Sequence, residues 1–549
     1  MNGRESALWA DLKRILGCGL RLPRALARGG PSRLAAIVAL AIACKEQPPL
    51  KVPGPTVAHP PGASEQASAS SEAVASLSRR NPDARVVAFR ILFDAGSADD
   101  PAGKEGLTSL TASMTAASGT KKLTFAELSR ALYPMAASID VHVDRDQTVF
   151  SAEVAASELG RFYPLLHDVL LEPRLDAESF SRLHLRAKSG LEDELKGADD
   201  ETLGKEALQA FLYEGHPYGH PAVGTEAGLA AITLDDVKAQ STRVFCKDRV
   251  TAGVAGAFPE GFDKKLAQDL AALPACAGPR ASLPAPPKTH GLRVLLVDKP
   301  SADATAVSIG FPVAYTRASE DFPAAYFFTS YVGLHRQSAG VLYNRLREAR
   351  GLNYGDYAYS EWFEQEGWTR FTLPNIARRE QMASVWLRPV KPQNGLFALR
   401  GALFYWRKYV EQGIPGDEIA RFRTFLSGFL SLEQQTESRR LGFALDDRSY
   451  RLTTPFADRM RTSWEGLTAA KLKDVVSRDL ATGDVSVAIV AKDAAALKKA
   501  LVSGQKTPPT YDSPKPKEVT DEDRTIEALP LNLKDEDVRI VPIADLFAR

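Results

Sequence analysis

One order of elements runs twice along this chain, and that doubling constrains its fold more than any other feature. A segment with prolines at 274, 279, 284, 286 and 287 divides the two runs. Before it, the apolar stretch Val86–Phe93 reads as a buried strand. Leu234-Asp235-Asp236-Val237 then opens a helix that leads to a strand over Val250–Ala255 and a further helix over 261–273. After it, Leu292–Val297 and Ala306–Phe311 read as strands. Leu467–Leu480 is helical in pattern and leads to a strand over Val485–Val490 and a helix over 493–502. Strands separated by long helical stretches predict an α+β fold. It consists of two similar domains, 73–275 and 288–549, each a largely antiparallel sheet with helices packed on one face. The tail from 505 is polar until Val538–Ile543, which reads as a short strand returning to the body.

The front of the chain is an address. Residues 34–43 form an apolar run too short to span a bilayer, preceded by Arg24, Arg28 and Arg33 and followed at once by Cys44. Small residues before a cysteine resemble a bacterial lipoprotein cleavage site. The expectation is a signal peptide over 1–43, lipidation of Cys44 and a membrane tether without a span. Residues 44–72, rich in Pro and then in Ser and Ala, read as a flexible stalk. Lys45 stands where retention at the inner membrane commonly uses Asp, so a periplasm-facing outer-membrane lipoprotein is favoured. Ordinary secretion, or a cytoplasmic protein with a buried apolar segment, are the alternatives.

Composition excludes one class of partner. Of 549 residues, 25% are charged and the formal net charge is +1, and no basic stripe interleaves with aromatics, so nucleic-acid binding is set aside. Cys246 and Cys276 either pair in an oxidising compartment or stay isolated small apolar side chains. No Cys-x-x-Cys suggests a structural zinc site.

Three segments carry chemistry. Residues 106–114, Gly-Leu-Thr-Ser-Leu-Thr-Ala-Ser-Met, follow an apolar run ending Ala95-Gly96-Ser97 and precede Gly119-Thr120. Leu191-Glu192-Asp193-Glu194-Leu195 lies upstream of Gly215-His216-Pro217-Tyr218-Gly219-His220-Pro221. Arg347 is followed seven residues later by Tyr354. Together these resemble the insulinase, pitrilysin and mitochondrial processing peptidase family of zinc peptidases, and the resemblance runs from about residue 75 to the C-terminus. The family carries His-x-x-Glu-His in the first frame, two metal ligands and a general base on one helix face. Aligned on Gly106-Leu107, those positions are Ser109, Ala112 and Ser113. Aligned on Gly119, they are Leu110, Ser113 and Met114. Neither register supplies a zinc ligand or a base. Glu192, with Glu194 as runner-up, matches the family's third ligand and is vestigial without the other two. His216 and His220 flank Pro217 and Gly219 and read as structural. His142, His167 and His184 show no zinc spacing.

The resemblance implies that this chain is the metal-free member of a heterodimer. Zinc is expected in a catalytic partner, none in this chain. Arg347 and Tyr354 face the partner's site, where an arginine grips a peptide carbonyl or developing oxyanion and a tyrosine hydroxyl donates beside it. The substrate is then a peptide or unfolded segment. Two rivals remain: a lipid-anchored binding or scaffold module with no catalytic role, and an autonomous zinc peptidase with divergent ligands.

Overall fold

The computed structural model describes residues 65–68 and 73–549 apart from Thr482. The signal-peptide segment and Cys44 lie outside the described residues. Within Ala63–Arg549, one compact unit, two six-stranded sheets carry the doubled order. The strands are β1 (Glu65–Ser68), β2 (Ala75–Arg80), β3 (Val86–Phe93), β4 (Asp140–Val143), β5 (Thr148–Ala155) and β6 (Val250–Gly256), then β7 (Leu292–Asp298), β8 (Thr305–Val313), β9 (Asp356–Tyr359), β10 (Gln381–Val390), β11 (Val485–Ala491) and β12 (Val538–Pro542). The first sheet runs β1-β2-β6-β3-β5-β4 and the second β12-β7-β11-β8-β10-β9. Apart from the edge strands β1 and β12 the two orders are the same. The pairing β2–β6 is parallel like β7–β11, and the remaining core pairings are antiparallel in both sheets.

Two sequence boundaries need correction. The stalk read over 44–72 overlaps a strand, since Glu65–Ser68 pairs antiparallel with β2. The first half also opens on β2, the counterpart of β7, rather than on Val86. Ala75–Arg80 is Ser- and Arg-rich and shows no apolar run, because it lies towards the sheet's edge. The tail does return through β12, parallel to β7, and it also carries a helix, Lys517–Ile526, anchored by Arg350 to Asp523 at 2.8 Å.

Six helices position the site: α1 (Leu107–Ala117), α2 (Ala177–Ser189), α3 (Asp200–Leu212), α4 (Phe322–Gly333), α5 (Gly416–Glu433) and α6 (Glu437–Ser449). Strand alternation decides how they pack. On β8, Val307, Ile309 and Phe311 face the core built by the second half's own helices, and Ala306 faces the other way. Each half thus keeps its own helices on one face, as expected. The opposite face is covered by a helix lent by the other half. α3 lies on β8 and β11, in one core with Ala306, Ala488 and Val490. α6 lies on β3 and β6, where Leu441, Ala444 and Leu445 meet Leu77, Leu92 and Ala255.

Both lent helices are capped and notched for this contact. Asp199 caps α3 by accepting from Thr202 N (2.9 Å) and Thr436 caps α6 by accepting from Arg439 N (3.1 Å). A Cβ at Gly204 would meet Ser308 Oγ at 3.3 Å, and one at Gly442 would meet Pro374 Cβ at 2.7 Å. The exchange makes the two halves one body. A buried polar latch completes it: Arg378, from the connection between β9 and β10, reaches Asp144 of the β4–β5 turn at 2.6 and 2.5 Å and Gln209 of α3 at 2.9 Å.

Candidate functional site

Asp100 fixes the start of α1. Its carboxylate accepts from Gly106 N and Thr108 N, both at 2.7 Å, and burial pushes its pKa up to about 7 against those bonds. Gly106 has φ 101°, and a Cβ there would meet Val223 O at 2.5 Å, so only glycine fits. The expected helix is therefore present. Ala112 is fully buried in the first half's core, while Leu107, Leu110 and Met114 turn into the core shared with α3. Ser109 and Ser113, four residues apart on the remaining face, are half-buried.

The third position is spent as well. Glu192 is exposed, on a π-helical stretch (Gly190–Ala198) that extends α2. Its partner is Lys196 at 3.3 Å, and the buried Lys196 ammonium also pairs with Glu226. Glu194 is exposed too. Among the described residues, no group of three or more His, Cys, Asp or Glu could hold a metal ion. The serines offer weak donors, Ala112 offers none, and the one carboxylate already has an ammonium beside it. This donor set does not fit zinc.

The histidines are dispersed. His216 accepts from Tyr218 N at 3.0 Å and bonds Pro284 O at 3.1 Å, and burial lowers its pKa. His220 bonds Pro221 O at 3.0 Å and is pushed down to about 4 by burial, with Arg145 adding to the fall. His142 faces Glu364, His167 faces Asp168, and His184 bonds Leu229 O.

Arg347 and Tyr354 do come together. The Arg347 guanidinium lies 4.8 Å from the Tyr354 ring centroid and 4.6 Å from that of Tyr343, whose hydroxyl accepts from it. Arg388 covers Tyr354 from a further side at 5.5 Å and is itself held by Glu201 of α3 at 3.2 Å. Tyr354 remains 65% exposed, so the pair presents a cation and a phenol to solvent from a scaffold both halves build. Behind it, Asp356 is buried with one carboxylate oxygen unpartnered, and burial raises its pKa to about 7. Sequence reasoning missed Tyr343, which sits one helical turn before Arg347, a readable spacing. It also missed Arg388 and Glu201, which nothing local marks.

Cys246 and Cys276 form a disulfide. It ties the proline-rich divider to the first half, and Arg280 in the same segment bridges Asp99 and Asp146, at 2.8 Å each. The divider is strapped down rather than free.

These features are those of a peptidase scaffold without a peptidase's ligands. The insulinase (peptidase family M16) model matches residues 75–226, and the peptidase M16 inactive domain model matches 231–381. The chain belongs to the insulinase family. It is 24% identical over 297 residues to an uncharacterized zinc protease of Mycobacterium leprae, covering 52% of this chain and 63% of that protein. It is 21% identical over 377 residues to the non-peptidase homolog YmxG of Helicobacter pylori, covering 68% and 81%. The match to the Mycobacterium leprae protein therefore spans less than two thirds of that relative. Among solved structures, a peptidase M16 inactive domain from Pseudomonas fluorescens superposes with TM-score 0.68 at 18% identity, covering 78% of this chain and 98% of that one. A protease from Helicobacter pylori gives 0.65 at 14%, covering 78% and 99%. At these identities the structures speak to the fold.

Proposed function

We propose that this chain is a non-catalytic, insulinase-family subunit that pairs with a zinc-bearing partner and lends Arg347 and Tyr354 to the partner's peptide-cleaving site. One observation carries the reading. The first half lacks the two histidines and the base of His-x-x-Glu-His, yet the second half holds Arg347 against Tyr343 and Tyr354 in the open, with Arg388 beside them held by Glu201 of the first half. Arg347 Nη1 donates to the Tyr343 hydroxyl and lies 3.8 Å from Glu348 Oε1, which leaves the Nε and Nη2 N–H groups of the stacked guanidinium for a carbonyl or oxyanion.

Two features support a bacterial envelope location. The Cys246–Cys276 disulfide suits an oxidising compartment, and the apolar run before Cys44 suits a lipid-anchored envelope protein. No helix among the described residues is long and apolar enough to cross a membrane. The test is co-purification with a His-x-x-Glu-His relative encoded beside it, followed by Arg347→Ala in this chain. The reading expects the complex's peptidase rate to fall by about 10² or more, the scale of removing one oxyanion donor, with assembly unchanged. An unchanged rate would leave the scaffold alternative in possession.

A further inference from the structure

The doubled topology gives the degenerate metal site a counterpart. In the second half α4 stands where α1 stands in the first, β9 where β4 stands, and α5 where α2 and its π-helical extension stand. Between α4, β9 and α5 lies a cavity of about 50 Å³, room for roughly three or four water-sized atoms. Tyr326, Thr329 and Ser330 of α4 line it at the same i, i+3, i+4 spacing that a His-x-x-Glu-His motif uses. The end of α5 brings Glu433, 5% exposed, and the residue after β9 brings Ser360, 2% exposed. The Ser360 hydroxyl has no hydrogen-bond partner. The rings of Phe429, Phe443, Phe456 and Trp362 form the walls.

The charges around this cavity balance in number, with Arg90 sharing Glu366 with Arg439, but the ion pairs bypass Glu433. Arg317 lines it but is matched by Glu361 at 2.9 Å and Asp446 at 3.5 Å. Arg439 is matched by Glu366, and Arg370 stands at the exposed rim over Phe371 and Phe429. Among the described residues the Glu433 side chain forms no ion pair, with Arg439 and Arg317 acting on it only from farther off. A buried carboxyl, an unpaired hydroxyl and an aromatic wall recognise a small cation. The cavity is small, about 50 Å³, which favours a cation carried on an unbranched stem. An amino terminus, with a carbonyl and a side chain on the next carbon, needs more width.

We propose that this cavity binds a slender alkylammonium, the side chain of a lysine, with the ammonium held between Glu433 and Ser360 and the methylenes against the rings. The site stands independently of the partner reading, since it uses no residue near Arg347. Burial already pushes the Glu433 acid up to about 7, with Arg439 and Arg317 pulling it down and Glu361 adding to the rise. An ammonium selects the ionised form, so binding strengthens as pH rises through that value.

The experiment is calorimetric titration of the full chain with n-butylammonium chloride, with glycinamide hydrochloride as the amino-terminus mimic. The expected result is one site for butylammonium, at least tenfold weaker binding of glycinamide, and affinity about tenfold higher at pH 8 than at pH 6. Glu433→Gln, which copies the neutral acid and keeps its volume, should fold and lose about tenfold in affinity. Ser360→Ala removes only an unpaired hydroxyl and should weaken binding several-fold, which keeps the test open if the first variant misfolds. Absence of butylammonium binding, or equal affinity in Ser360→Ala and the parent, overturns the site. Equal affinity for glycinamide overturns the choice of lysine.

Discussion

Arg378→Ala should cost about 3–5 kcal/mol of stability. The Arg378 and Asp144 side chains are 1% and 3% exposed, and the pair is bidentate at 2.6 and 2.5 Å. The same guanidinium donates to Gln209 at 2.9 Å and stacks 4.2 Å from the Trp362 ring centroid. Truncation leaves a buried carboxylate and a buried amide oxygen without their donor. Breaking such a pair from one side costs about 3–5 kcal/mol, because a charge stays behind in low dielectric. Removing both charges relieves that penalty, so Arg378→Ala with Asp144→Ala should cost less than the sum, by at least about 1.5 kcal/mol. Urea unfolding of the four proteins measures the cycle. Hydrogen exchange locates the damage: α3 amides, lying over the second sheet, should exchange faster while β3 and β8 stay protected. A cost for Arg378→Ala below about 1 kcal/mol, or additive single effects, would refute the view that this latch closes the halves.

Other expectations are more local. Gly442→Ala should destabilise by about 1–3 kcal/mol, since its new Cβ meets Pro374 Cβ and Cγ at 2.7 Å, whereas Gly428→Ala on the open face of α5 should stabilise by about 0.5–1 kcal/mol; thermal melts compare them. The Asp356 acid is held at about 7, above its unfolded value, so its ionisation opposes folding and stability falls as pH rises from about 4 to 7. Asp356→Asn should therefore gain on the parent at pH 8 and not at pH 4, in urea midpoints at the two pH values. Replacing Cys246 and Cys276 together by serine should cost about 3–4 kcal/mol, from the 30-residue separation they close, with a matching loss when the parent is reduced.

Much of this was legible locally. Apolar runs marked β3, β6, β8 and β11, Leu234-Asp235-Asp236-Val237 marked the start of the helix Leu234–Val244, and the family resemblance paired Arg347 with Tyr354, which do meet. The absent zinc ligands were legible in either alignment. The exchange of α3 and α6 was not, because an amphipathic pattern says which face is buried and not which sheet covers it. Arg378 and Asp144 lie 234 residues apart, beyond any local signal. Glu65–Ser68 looked like stalk because an edge strand needs no apolar face of its own. The cavity beside Glu433 became visible only once the doubled topology set α4 against α1.

The central claim is that α1, with Ser109, Ala112 and Ser113, sits in a scaffold that no longer holds zinc. Elemental analysis of the full chain purified alone tests it most directly. The account predicts only trace zinc in the isolated chain and one equivalent in the complex with a His-x-x-Glu-His partner. One equivalent of tightly held zinc in the isolated chain would contradict it.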